Sequence, residues 1–224
     1  YVQYVKALVE EGKIKAETID NAVRNILKLK FRLGLFENPY VDESLARQVA
    51  YAPEHLAAAK QSAVESAILL QNNNDVLPLK SAKRILVTGP MADAPYDQLG
   101  TWAFDGEEAY TVTPLTALRK DYEVVYEPAL AYSRDASTAG IPAAVAAARG
   151  VDAVVAFVGE EAILSGEAHS LSQINLQGAQ SELIKALKAT GKPVVVVVIA
   201  GRNLTIERDL ENCDAMLYSF HPGT

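Results

Sequence analysis

The stretch FVGEEAILSGEAHSLSQ, residues 157–173, sets Glu160, Glu161, Glu167 and His169 directly after an unbroken apolar run. Carboxyl groups do acid–base work when their surroundings hold one protonated and leave another ionised. Glu160 adjoins the run and is placed to orient the succeeding loop through backbone N–H groups. Glu167 falls further on, among small residues, at the expected tip of a loop. His169 is placed to hydrogen-bond or tune a neighbouring carboxylate, although a lone loop histidine is more often neither catalyst nor ligand. A competing reading stands beside this one: glutamate is common on surfaces, and the same residues serve as solvated charges.

Other candidates carry weaker chemistry. VTGPMAD, after the first predicted strand of the α/β region, lacks the glycine spacing of a dinucleotide fingerprint and the Gly-Lys-Ser/Thr of a P-loop. His55, His169 and His221 are scattered without metal-ligand spacing, so no metal is expected. No G-x-S-x-G elbow is present, which argues against an α/β-hydrolase. Trp102, in GTWAFDGEE, sits among glycines, where an indole serves either as a stacking platform for a sugar or as a plug at a domain interface. Cys213 has no cysteine to pair with and reads as a small buried hydrophobe. No cofactor is expected.

These residues need a scaffold, and the hydrophobic pattern supplies one. Strands are predicted at RILVTG, EVVYE, DAVVAFVG, PVVVVVIAG and DAMLYSF, with helices at PAAVAAARG and QSELIKALKATG. Alternating strands and helices imply parallel crossovers, hence an α/β fold with a mainly parallel sheet and helices on both faces, a three-layer α/β/α sandwich. Residues 159–177 then form a loop far longer than the about two to six residues usual between strand and helix. It leaves the carboxyl end of a strand, where open parallel sheets bind ligands. Before the sandwich, AETIDNAVRNILKLKFRLGLF is an amphipathic helix stopped by Gly34, and residues 53–70 read as a further helix running into the turn QNNNDVLP.

With 224 residues, half of them hydrophobic, the chain can bury a sizeable core. A formal charge of −7 and the absence of a Lys/Arg cluster argue against nucleic acid, and no apolar run reaches the ~20 residues of a membrane helix. Both ends read as cut from a longer protein.

Taken together, GKIKAETIDNAVRNILKLKFRLGLFENPY, AAAKQSAVESAILLQNNNDVLPL, RILVTGPMAD, GTWAFDG, VGEEAILSGEAHS, LIKALKATGKPVVVVVIAGR and SFHPGT make the chain resemble the family 3 glycoside hydrolases, chiefly their β-glucosidases. The resemblance covers essentially the whole chain. It implies residues 1–37 as the terminal helices of a truncated (β/α) barrel, 38–66 as a connector, and 67–224 as the α/β sandwich.

It further implies a retaining glycosidase acting on terminal β-D-glucosyl residues. The barrel, upstream in the same parent protein, supplies an aspartate nucleophile, and Glu167 in SGEA is the acid/base. Trp102 then lies in a loop that approaches the substrate cleft, with Glu160 and His169 supporting the acid/base loop. Gly106 stands where some relatives carry a second aromatic, and the common Gly-Arg-Pro reads Gly201-Arg202-Asn203 here. The expected partners are a β-linked glycoside and the barrel, with neither nucleic acid nor membrane. This chain alone is expected to be inactive, and the location implied is periplasmic or secreted. The alternative is a non-catalytic sandwich that binds carbohydrate or a protein partner.

Overall fold

The computed structural model describes residues 1–223, which form two compact units, 1–52 and 53–224. The first unit is helical: α1 (Val5–Glu10), α2 (Ala16–Arg32) and α3 (Glu43–Val49). Gly34 ends the α2 region with φ of 66°, a conformation glycine adopts without steric cost. Asp42 caps α3, its carboxylate accepting from the Ser44 N–H at 2.9 Å.

The second unit opens with α4 (Pro53–Ser66) and β1 (Ile68–Asn72). The helix therefore ends before the run the sequence pattern assigned to it, because residues 68–72 pair antiparallel with a strand far along the chain. The remaining elements are β2 (Arg84–Thr88), α5 (Pro95–Leu99), α6 (Pro114–Leu118), β3 (Glu123–Glu127), α7 (Ile141–Ala148), β4 (Ala153–Gly159), α8 (Gln180–Lys188), β5 (Val194–Ile199), α9 (Glu207–Leu210) and β6 (Ala215–Tyr218). They form a six-stranded sheet in the order β1-β6-β5-β4-β2-β3, parallel except for β1.

The uniform apolar runs resolve into two alternating sets. Val154, Ala156 and Val158 of β4, with Val194, Val196 and Val198 of β5, pack against Ile141, Ala144 and Ala148 of α7 and Leu183, Ile184 and Leu187 of α8. Val155 and Phe157, with Val195 and Ile199, face Leu115 of α6, Met91 and Ala92, and the partly buried Val76, Leu77 and Leu79. Both faces are covered, so both sets must be apolar, and alternation disappears from the sequence. Local signals agree: Pro114 opens α6, Thr113 caps it by accepting from the Thr116 N–H at 3.2 Å, and Lys185 and Lys188 sit in the last turn of α8. Cys213 is buried, which pushes its thiol up to about 11.

The topology fixes where a ligand would sit. From β2 the chain crosses one face, through α6, to β3 on one side; from β3 it returns over the other face, through α7, to β4 on the opposite side. The connections leaving the carboxyl ends of β2 and β4 diverge, the kind of switch point at which open α/β sheets bind ligands. Trp102 lies in the connection after β2 and Glu167 in that after β4. Among the described residues no helix is long and apolar enough to cross a membrane.

Candidate functional site

Glu160 is the first residue past β4, and its N–H donates to the Ile199 carbonyl of β5 at 2.9 Å. Only 1% exposed, it sits at the strand end with its carboxylate inside the fold. Arg202, just past β5, donates from Nε to Glu160 Oε2 at 3.0 Å. Nη2 of the same guanidinium donates to the carbonyls of Leu164 and His169, the latter at 3.3 Å. Burial pushes the Glu160 pKa above the usual carboxylate range, and the charge and hydrogen bond of Arg202 pull it back. Thus Glu160 engages the loop through a cation, not through the backbone N–H groups the sequence suggested. Removing the arginine would strand a buried carboxylate, at a cost of about 3–5 kcal/mol.

The loop is pinned elsewhere too. Gln180, fully buried at the start of α8, accepts from the Gly159 N–H at 2.8 Å and donates to the carbonyls of Ser133 (2.7 Å), Gly159 (2.9 Å) and Gln177 (3.1 Å). One amide therefore joins the two ends of the loop. Near its middle, the Thr101 hydroxyl lies 2.6 Å from the Ala162 carbonyl and 2.9 Å from the Ser165 hydroxyl. Gly201 passes directly beneath: a Cβ there would stand 2.0 Å from Ser165 Oγ, so only glycine permits this approach. Glu161 turns away from the tip, accepting from Ser133 Oγ at 2.6 Å and pairing with Arg134 at 3.7 Å, so it anchors the loop and is not merely solvated.

Glu167 occupies the turn that projects from this base. The His169 N–H donates to the Gly166 carbonyl at 3.3 Å, and Ala168, between them, has φ of 63°. That left-handed conformation costs a residue with a Cβ about 1–2 kcal/mol, and strain of this kind gathers where a side chain must be aimed. Glu167 is exposed. His169 contributes its main-chain carbonyl to Arg202, and its side chain is exposed.

Trp102 stands beside the turn, since a Cβ on Gly166 would lie 3.5 Å from Trp102 Cζ2. Its indole is 60% exposed and meets the 82% exposed Phe104 edge-on, ring centroids 6.2 Å apart. The structure thereby gathers Glu160, Glu167, His169 and Trp102 into one neighbourhood. An exposed carboxyl carried on a turn that adjoins an aromatic ring can exchange a proton with an oxygen of a ligand stacked on that ring.

Sequence reasoning missed Arg202, Gln180 and Thr101 as parts of this site. For Arg202 a signal existed. A glutamate directly follows one apolar strand and an arginine, after one glycine, follows the other; neighbouring parallel strands bring such charges together at one sheet edge. Gln180 at the start of an amphipathic helix carries no comparable signal. Among the described residues no cluster of three or more His, Cys, Asp or Glu is arranged to hold a metal ion.

Residues 67–224 match the model of the glycosyl hydrolase family 3 C-terminal domain. The chain is 33% identical over its whole length to a periplasmic β-glucosidase of Salmonella typhimurium, covering 33% of that protein. It is 34% identical over 92% of its length to a β-xylosidase of Formosa agariphila, covering 30% of that relative. Among solved structures, a β-glucosidase from Listeria innocua in complex with isofagomine superposes with a TM-score of 0.91 at 38% identity, over 98% of this chain and 31% of the other. The chain thus spans about a third of the length of the relatives it matches.

Proposed function

The chain belongs to glycosyl hydrolase family 3, and we propose that it carries the general acid/base of a β-glycosidase acting by double displacement with retention. In this reading Glu167 gives its proton to the glycosidic oxygen as the aglycone departs, while a carboxylate on another domain bonds to the anomeric carbon. The ionised Glu167 then takes a proton from the water that displaces that carboxylate, which frees the sugar and restores the acid. The two carboxyls of such a pair lie about 5–5.5 Å apart, so the acid/base must project well beyond its own domain. The observation that carries the reading is the placing of Glu167: exposed on a left-handed turn whose Gly166 adjoins the Trp102 indole, above a buried ionic base.

The rest of the protein fits the same reading. Residues 1–37 are the closing helices of a barrel that holds the nucleophile, 38–66 the connector and 67–224 the sandwich. The nucleophile lies outside residues 1–224, so this chain alone is inactive. The substrate is a terminal non-reducing β-D-glucosyl residue, which the β-glucosidase relatives from Salmonella and Listeria support. Trp102 stacks on that substrate. A periplasmic or secreted location is supported by the periplasmic Salmonella relative.

The test is Glu167→Gln in the full-length protein. Hydrolysis of glycosides with poor leaving groups falls about 10²–10⁴-fold, glycosylation by activated aryl glycosides is largely spared, and added azide restores turnover with formation of a β-glycosyl azide. Equal losses on every leaving group would refute the assignment.

A further inference from the structure

We propose that Arg202 is the positioning residue for Glu167, a single guanidinium that sets the height and tilt of the turn carrying that carboxyl. The proposal rests on the acid/base reading of Glu167 and extends it to a residue on a different strand.

The geometry is that of an arch with both feet on one atom. Leu164 precedes the turn and His169 closes it, and both carbonyls accept from Nη2 of Arg202. Glu167 lies between these feet. Within residues 167–173, and among the described residues, the bond from Arg202 to the His169 carbonyl is the hydrogen bond that reaches outside the loop. The turn's own bond, from the His169 N–H to the Gly166 carbonyl, fixes its shape but not its place.

Arg202 is itself held firmly. Its Nε is fixed by the buried Glu160 carboxylate. Its carbonyl accepts from the Tyr218 hydroxyl at the end of β6, and that hydroxyl accepts in turn from the Leu204 N–H at 3.2 Å. Ends of β4, β5 and β6 therefore converge on this residue, the first through its guanidinium and the last through its carbonyl. The planar fork explains the residue type: Nε and Nη2 point in fixed, different directions and serve a carboxylate and two carbonyls at once. A lysine ammonium could neutralise Glu160 but offers donors from one atom only.

A displaced acid loses proton transfer to the leaving group, and a misplacement of 1 Å can cost about 10²-fold. The experiment compares Arg202→Lys and the doubly neutral Glu160→Gln/Arg202→Met with wild type and Glu167→Gln in the full-length protein. Its substrates are phenyl and 2,4-dinitrophenyl β-glucosides, or the β-xylosides if wild type prefers them, and thermal denaturation reports folding. The lysine variant retains the charge beside Glu160, and the double variant removes both buried charges.

The expected result is a loss in kcat/KM of about 10- to 100-fold on the phenyl glycoside, and roughly threefold or less on the dinitrophenyl glycoside. The leaving-group dependence then steepens toward that of Glu167→Gln while both variants stay folded. If Glu167→Gln shows this dependence but the Arg202 variants lose activity equally on both substrates, lose none, or both fail to fold, the positioning role is overturned alone. If Glu167→Gln is itself indifferent to the leaving group, the acid/base reading and the positioning role fall together.

Discussion

His221 is wedged between two glycines: a Cβ on Gly100 would stand 3.1 Å from its Cγ, and one on Gly201 would stand 2.6 Å from its Nε2. Both ring nitrogens are buried without a hydrogen-bond partner among the described residues. Burial lowers its pKa. The folded state therefore favours the neutral ring, a contribution fully present above the unfolded value of about 6.5 and lost as pH falls through that value toward the folded one. In urea titrations of the full-length protein, wild type should lose more stability between pH 7.5 and pH 5.5 than His221→Phe, which cannot charge; parallel losses would exclude His221 as the source. At this scale family resemblance singled out Glu167 as the candidate acid/base. Arg202 carried only a partial signal, a charge just past an apolar run, whose meaning depends on which strand lies beside which.

At the scale of elements, the long loop is a defined structure closed by α8. Gln180 has no apolar or charged signature, yet it satisfies both backbone groups of Gly159 and the carbonyls of Ser133 and Gln177. Replacing it with leucine of similar length leaves several buried backbone groups unpaired at about 1–3 kcal/mol each. Gln180→Leu should therefore lower stability by about 3 kcal/mol and speed amide exchange across residues 159–177. Unchanged exchange there would show that the loop is held otherwise. The strands and the two long helices of the sandwich were legible from hydrophobic runs and their spacing. β1 was not: Ile68, Leu69 and Leu70 continue the apolar content of α4 without alternation, and only pairing with β6 makes them a strand.

At the scale of the whole molecule, α2 is amphipathic but has no buried residue; its Ile26, Leu29 and Phe31 are all exposed. An isolated helix of 17 residues that is not alanine-rich is marginal in water, because nucleation is costly and stability comes from packing. A peptide of residues 1–52 should thus show weak helical circular dichroism alone, whereas the same residues in the full-length protein should exchange their amides slowly. A strongly helical peptide would show that local propensity suffices. The amphipathic stripe was legible from the three- and four-residue spacing of its apolar positions.

By itself the sequence determined the α/β class, the five parallel strands with α7 and α8, and the loop that carries Glu167, because hydrophobic period and turn chemistry are local properties written residue by residue. The tertiary structure alone decided that β1 joins the sheet antiparallel, that Glu160 meets Arg202 across β4 and β5, and that Trp102 stands beside the Gly166 turn. Those facts arise from strand order and register, which bring residues distant in the chain within hydrogen-bond reach, and no local pattern encodes such distances.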